Sequence, residues 1–497
     1  MSVTATSTSA FTSSGTGAAA ATLTKRASIP AITVNGEKDA RGSPERQADI
    51  LIIGAGVVGC ALAAVFGKQG RRVLLLEKSL KEPDRIVGEL LQPGGVEALE
   101  KLGLQGCLEG IDAIAVDGYN VILRGTHLKI PYPVDKKTGI APKGRSFHHG
   151  RFIMKLREAA KATPNVTIIE ATATTLIKSH SDVIGVEATV GGAHQHFFAP
   201  LTVVADGYAS KFRKEYHPRT PVVKSKFWGM ELIDAELPMP QHGHVFIGYG
   251  APVLMYQIGT HETRALIDIP ENLPSASVQN GGVKGHMRNV ILPSLPESLQ
   301  PSFLAALEKG GLRSMPNSFL PSSPNKTRGL IILGDASNMR HPLTGGGMTV
   351  AFNDVVVLQD LLSPENVPTF ADAPLVTKKM KTFHWRRKNA ASVINILAQA
   401  LYSVFAGNDP NLAVLQRGCF RYFELGMIEQ PAGMLGGIIK DPSVLVRHFF
   451  SVAFLSIWVM IAESPIYLMP VAFLRSFVIL YTACVVIMPY IFAELER

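Results

Sequence analysis

Four apolar residues, Ile50 to Ile53, run directly into Gly54-Ala-Gly56-Val57-Val58-Gly59. A stretch of small apolar residues, Cys60 to Phe66, follows, and a second apolar run, Val73 to Leu76, closes on Glu77. Apolar runs this short, with no polar alternation, predict strands buried on both faces of a parallel sheet, with a helix between them. The strand-to-acid pattern returns at Leu201 to Ala205 before Asp206, and at Gly329 to Gly334 before Asp335. Thr349 to Leu362 then has the pattern of a helix. Ala115 to Tyr132 consists of shorter, β-rich runs. Residues 216–310 are rich in Pro and Gly, with alternating runs such as Ala265 to Ile269, and predict a mixed sheet with loops. Val96 to Leu102 reads as a short helix, and His148-His149-Gly150-Arg151 as a turn opening an amphipathic one.

Towards the C-terminus the period becomes helical. Across 375–425, Val393, Leu397, Ala400, Leu401 and Val404 form an apolar stripe, and Lys378, Lys379, Lys381, Arg386, Arg387 and Lys388 read as a solvated basic face. From Ser443 the chain is apolar. Phe449 to Ala462 and Ser476 to Ala493 carry no charge, and are separated by Glu463, Pro465, Pro470 and Arg475. The second run approaches spanning length and the first is short. With Arg475 and Pro489 in the tail, two helices dipping into one leaflet fit as well as a span. A chain ending near Asp441 is therefore expected to become soluble. Residues 1–47 are Ser/Thr/Ala-rich without periodicity and read as a disordered leader; its scarcity of arginine argues against a transit peptide.

A length of 497 residues implies two or three domains. The net charge of +9 suits an anionic partner. No nucleic-acid motif accompanies it, so a membrane surface is the better reading. Cys60, Cys107, Cys419 and Cys484 have neither metal-ligand nor redox-pair spacing, and His242-x-His244 lacks a third ligand, so no metal site is expected.

The first strand, turn, helix, strand and acid are arranged as a dinucleotide requires. Gly54 permits the tight turn, Gly56 lets the backbone approach a pyrophosphate, and Gly59 lets the helix pack close to the strand. The helix N-terminus offers free N–H groups to the phosphates. Glu77 can accept from ribose hydroxyls, which disfavours a 2′-phosphate and favours FAD or NAD. Asp335 with Gly345-Gly346-Gly347-Met348 makes a second helix N-terminus aimed at a flavin or phosphate. No second Gly-x-Gly-x-x-Gly has a strand before it and an acid after it, so a separate NADPH domain is not expected.

This layout resembles the single-component FAD monooxygenases of the aromatic-hydroxylase fold. Three long motifs, Arg85 to Gly95, Phe147 to Met154 and Gly334 to Met348, resemble the squalene monooxygenases (squalene epoxidases), and the likeness runs from about Ala48 to the C-terminus. The resemblance implies an α/β protein with a Rossmann-like FAD-binding domain, a mixed β-sheet substrate domain and C-terminal membrane-associated helices. The FAD-binding parts would be 48–115, 151–215 and 316–370, and the substrate parts 116–150 and 216–315. Residues 371–442 would line the pocket and 443–497 would hold the membrane. It implies FAD, O2, squalene, membrane lipid, and electrons from NADPH through NADPH-cytochrome P450 reductase, at the endoplasmic reticulum (microsomal) membrane facing the cytosol.

Val57, Val58, Glu77, Lys78, Arg85, Arg151, Asp335 and Met348 match flavin-contacting positions of the family, joined by Gly54, Gly56, Gly59, Asp206 and Gly347 from the motifs. Tyr119 and Gln92 match a hydrogen-bonded pair beside the flavin, and Phe405 and Phe420 the wall of an apolar substrate cavity. Two alternatives stay open at this point. One is another flavin enzyme acting on prenyl chains or aromatics; the other is a non-enzymatic lipid-binding protein on the same fold.

Overall fold

A computed structural model describes residues 47–495 except 249 and 408, so the leader lies, but for Gln47, outside the described residues. Five parallel strands form the first sheet, in the spatial order Leu330–Ile332, Leu201–Val204, Ile50–Ile53, Val73–Glu77, Val166–Glu170. Successive side chains on these strands enter different cores. Ile50, Ile52, Val73 and Leu75 pack with the helix Val57–Lys68, whereas Leu51, Ile53, Leu74 and Leu76 join Val183, Val186 and Phe197 on the other face. Both faces are dry, which is why these strands show no polar alternation.

The second face is covered by a three-stranded antiparallel sheet of Thr172–Ser179, Asp182–Val190 and Ala193–Phe198. This sheet is absent from the reading above, because half-exposed strands such as Ala193–Phe198 carry His and Gln where an apolar alternation would be diagnostic.

The second large sheet has seven strands, in the order Arg313–Phe319, Val222–Ile233, Glu262–Pro270, Val253–Gln257, His242–Ile247, Gly118–Leu123, Thr126–Pro131. Its ladders are antiparallel except where His242–Ile247 runs parallel to Gly118–Leu123. That one parallel ladder joins segments more than a hundred residues apart in sequence, and it brings Tyr119 beside Gly243.

The helices Ala373–Phe405 and Pro410–Glu424 lie against this sheet, followed by Pro442–Ala462 and Met469–Leu495. Asp372, Asp409 and Asp441 cap three of them, each followed within two residues by a proline in the first helical turn. Two tail helices, Pro442–Ala462 and Ile466–Leu495, are long and apolar enough to cross a membrane. Phe454, Trp458, Phe473, Leu474, Phe477, Tyr481 and Phe492 project outward from them.

One expectation is corrected here and another is extended. The basic face is not uniformly solvated: Arg387 and Lys388 are buried, Arg387 making two hydrogen bonds to the Asp354 carboxylate at 3.0 and 2.7 Å. The tail, moreover, is more than an anchor. Ala453, Ile479, Ala483 and Val486 are buried in the same cluster as Phe405, Phe420 and Tyr119, so a chain ending at 441 loses part of its core.

Candidate functional site

A cavity of about 560 Å³ opens between the parallel sheet and the seven-stranded sheet. At one end stands the glycine turn. Gly54 has φ +103°, and a Cβ there would fall 2.5 Å from the Ala205 carbonyl oxygen. A Cβ on Gly59 would fall 1.8 Å from the Gly54 carbonyl oxygen, so only glycine allows this helix to pass the strand so closely. Gly56 is different. It borders the cavity, and among the described residues nothing lies within 4 Å of the position its Cβ would take. The helix it opens has no side-chain cap and no acid in its first turn.

Glu77 reaches the turn from the end of its strand, its Oε2 accepting from the Ala55 N–H at 2.7 Å. Val57, Val58, Lys78 and Arg85 also border the cavity, with Arg85 above the Tyr208 ring at 5.6 Å.

Asp206 and Asp335 enter the cavity from the ends of two neighbouring strands. Burial pushes the Asp206 carboxyl above its ordinary range, and its Oδ1 is buried without a partner among the described residues. The Arg213 guanidinium ties the two stretches together, donating to the Asp335 carbonyl at 3.0 Å and to the Tyr208 carbonyl at 2.6 Å. Gly347 and Met348 follow at the start of the helix Gly347–Leu361.

At the far end the walls are Tyr119, His244, Leu254, Tyr256, Leu266 and Met315, all but Met315 from the seven-stranded sheet's middle strands. Tyr119 sits in a buried polar knot. Gln92 donates to the Tyr119 hydroxyl at 2.5 Å and to the Thr344 carbonyl at 2.7 Å. Tyr119 itself donates to Thr344 at 3.2 Å, and Tyr132 donates to Gln92 Oε1 at 2.6 Å. Every polar atom of the Gln92 amide is thereby engaged. Burial drives the Tyr119 phenol well above its ordinary range, so it keeps its proton throughout the neutral region. His149 and His244 border the same cavity, and burial lowers each to about 4, leaving both rings neutral.

Some residues singled out from the sequence stand elsewhere. Arg151 does not border the cavity; its guanidinium lies 3.9 Å from Asp112 and is partly exposed. Gln92 is one layer back, reaching the cavity through Tyr119. Phe405 and Phe420 are buried behind the wall, in the cluster that also holds Leu254, Tyr256 and Leu266.

One arginine was missed. Arg157, six residues after Arg151 on the same helix, is buried beside the turn. It donates to the Ala55 carbonyl and to the Lys81 carbonyl, both at 3.0 Å, with Glu77 Oε2 at 3.8 Å. A signal existed: Arg157 falls on the apolar stripe of Phe152, Ile153, Leu156 and Ala160, where a solvated arginine has no place. Glu89 was missed too. It borders the cavity and is clamped by Arg264 through two 2.8 Å hydrogen bonds, which fix the 85–91 segment to the seven-stranded sheet.

These residues fit a flavin dinucleotide. The open space at Gly56, the uncapped helix N-terminus, the ribose-side carboxylate of Glu77 and the unpartnered Asp206 oxygen all face one cavity, whose other end is apolar.

The squalene epoxidase family model matches residues 198–474. Squalene epoxidase of Aspergillus fumigatus is 65% identical over 459 residues, covering 92% of this chain and 95% of that protein. Squalene monooxygenase of Mus musculus is 44% identical over 455 residues, covering 90% of this chain and 78% of that protein. Among solved structures, the flavin-dependent brominase Bmp2 superposes with a TM-score of 0.64 at 15% identity, covering 82% of this chain and 98% of that one. That likeness shows the fold, which is one used by flavin enzymes.

Proposed function

The chain belongs to the squalene epoxidase family, and on that premise we propose that it is an FAD-dependent monooxygenase of sterol biosynthesis. It places one atom of O2 on the terminal double bond of squalene, giving (S)-2,3-oxidosqualene, and releases the other as water. One cavity carries this reading, because it joins a dinucleotide turn at one end to an apolar chamber closed by Tyr119 at the other.

Glu77 would hold the adenosine ribose, the turn Gly54–Gly59 the pyrophosphate, and Asp335, Gly347 and Met348 the flavin end, with Asp206 nearby. Arg157 holds the turn itself in shape. The bound flavin, once reduced, supplies the activated oxygen. The remaining work belongs to the chain. A hydrocarbon offers no hydrogen bonds, so Leu254, Leu266, Met315 and their neighbours retain it through buried apolar area, about 25 cal/mol per Å². The same wall excludes water from the reacting centre. The Gln92–Tyr119–Thr344 knot fixes the loop 341–345 above the chamber, and the phenol acts by holding its proton rather than transferring it.

The single dinucleotide turn supports delivery of electrons from NADPH by a separate protein, NADPH-cytochrome P450 reductase. The two apolar tail helices support attachment to lipid at the endoplasmic reticulum, with the catalytic part facing the cytosol.

The test is reconstitution. The full chain, purified in detergent, is supplied with squalene, reductase, NADPH and O2, and the product is identified by mass. A yellow protein forming oxidosqualene is expected. A folded, flavin-loaded chain that leaves squalene unchanged, or one that binds no flavin, overturns the proposal.

A further inference from the structure

Glu494, near the end of the last apolar helix, is buried at 6% exposure. The other buried residues of that helix are Ala472, Ile479, Ala483, Val486, Ile487 and Ala493. A carboxylate is costly to bury and is seldom kept inside without partners. Here it is the first member of a chain of polar contacts leading inward. Glu494 Oε1 accepts from Asn395 Nδ2 at 2.9 Å. The same nitrogen donates to Asn338 Oδ1 at 3.2 Å. Arg340 Nη2 donates to that oxygen at 2.8 Å, and Arg340 Nη1 to the Gly347 carbonyl at 3.3 Å. Arg340 and Gly347 both border the cavity. Lys388 donates to the Glu494 backbone carbonyl, which pins the helix end from the other side.

We propose that Glu494 is a positioning residue for the flavin-facing loop 334–347, acting through Asn395, Asn338 and Arg340. The Asn395 amide shows how. Its Oδ1 is buried without a partner among the described residues, while its nitrogen serves two acceptors. The carboxylate holds the amide in this orientation by drawing the nitrogen towards itself. Without it the amide is held on that side only by its 3.2 Å bond to the Asn338 oxygen and can swing away from it. Asn338 Oδ1 then loses a donor, and the Arg340 guanidinium, left with the Asn338 backbone carbonyl at 3.0 Å, loses the fixed side-chain acceptor that helps align it with Gly347. The lipid-facing helix thereby becomes part of the apparatus that shapes the flavin site.

This inference rests on the reading of 334–348 as the flavin end of the cavity, and the experiment separates the two. Flavin dissociation is measured by fluorescence titration on the full chain in detergent, together with hydrogen peroxide released per NADPH consumed. Glu494→Leu is expected to weaken flavin binding about tenfold, the effect of losing a hydrogen bond to a charged group, and to raise the peroxide yield. Glu494→Gln keeps an acceptor and is expected within about twofold of the parent. Phe492→Ala removes an outward-facing ring from the same helix and is expected to leave flavin binding unchanged. Asn395→Leu breaks the chain at its centre and stands in if Glu494→Leu does not fold. Parent-like flavin binding in either folded leucine variant, or loss of flavin in Glu494→Gln, overturns the proposal. Asp335→Ala run in parallel tells the two readings apart. If it too retains flavin the site assignment fails, and if it alone loses flavin only the role of Glu494 fails.

Discussion

Gln92 and Tyr119, 27 residues apart in sequence, meet side chain to side chain at 2.5 Å, and both also bond the Thr344 carbonyl. Tyr119→Phe deletes the hydroxyl but keeps the ring, and Gln92 can still donate to Thr344. We expect flavin content to be unchanged, turnover to fall about three- to tenfold, and peroxide leakage to rise, the scale of one neutral hydrogen bond. Steady-state kinetics with peroxide detection checks it. Because burial keeps the phenol protonated, its loss should leave the pH profile between about 6 and 9 unchanged in shape; a displaced limb would show proton transfer instead.

Arg157 and Arg151 lie on one helix and invite a direct comparison. Arg157→Met removes two hydrogen bonds from the glycine turn and is expected to lower flavin affinity by tenfold or more. Arg151→Met breaks only a partly exposed 3.9 Å pair with Asp112 and should change affinity less than threefold. Equal losses in the two titrations would move the binding role back to Arg151.

His149, His244 and His341 are buried, with pKa values lowered to about 4, 4 and 3. In the unfolded chain each takes up a proton near pH 6.5, whereas the folded protein holds them neutral. The unfolded state therefore binds more protons below pH 6.5, and stability is lost progressively as pH falls from 6.5 towards 4, about 1.4 kcal/mol per histidine per pH unit at the limit. Asp268, raised to about 6, works in the opposite sense between 3.8 and 6 and blunts the fall without cancelling three histidines. Thermal midpoints of the flavin-loaded protein at pH 7.5, 6.5 and 5.5 should decline, with most of the drop below 6.5. A flat series would contradict the neutral assignment.

Phe420 is buried behind the cavity wall, so Phe420→Leu is expected to lower the unfolding midpoint by the equivalent of about 1 kcal/mol while changing the KM for squalene less than twofold. A large KM effect at unchanged stability would put the ring inside the chamber.

Ending the chain at Asp441 strips Ala453, Ile479, Ala483 and Val486 from the cluster around Phe405, Phe420 and Tyr119. The shortened protein is expected to aggregate and to bind no flavin, rather than to become a soluble enzyme. Sedimentation together with flavin titration decides between the two.

The adenosine end of the site was readable because its requirements are local. Turn, helix and acid lie within about thirty residues; Gly54 and Gly59 each answer to a contact that a Cβ would violate, and Gly56 leaves open space. The resemblance marked Arg151 and passed over Arg157, because a motif marks a neighbourhood, whereas the helix register decides which arginine faces the turn. The basic run at 378–388 misled for a related reason. Charge spacing within one segment cannot show that Arg387 meets Asp354 of another helix, and a buried ion pair has the same letters as a solvated one. The antiparallel sheet 172–198 and the Glu494 contact were illegible for want of any local pattern. Both depend on what the chain meets elsewhere.

The parallel sheet takes its strands from residues 50–77, 166–170, 201–204 and, last, Leu330–Ile332, while the seven-stranded sheet is assembled from segments in between. During synthesis, therefore, the turn that opens the dinucleotide site emerges early and waits for its edge strand. On the proposed role of Glu494, the loop carrying Gly347 waits longer still, for that residue of the last apolar helix. Synthesis proceeds at roughly 5–20 residues per second, so the nascent chain holds an incomplete, apolar-lined cleft for many seconds. The contact that Glu494 makes with Asn395 therefore comes last in the order of synthesis.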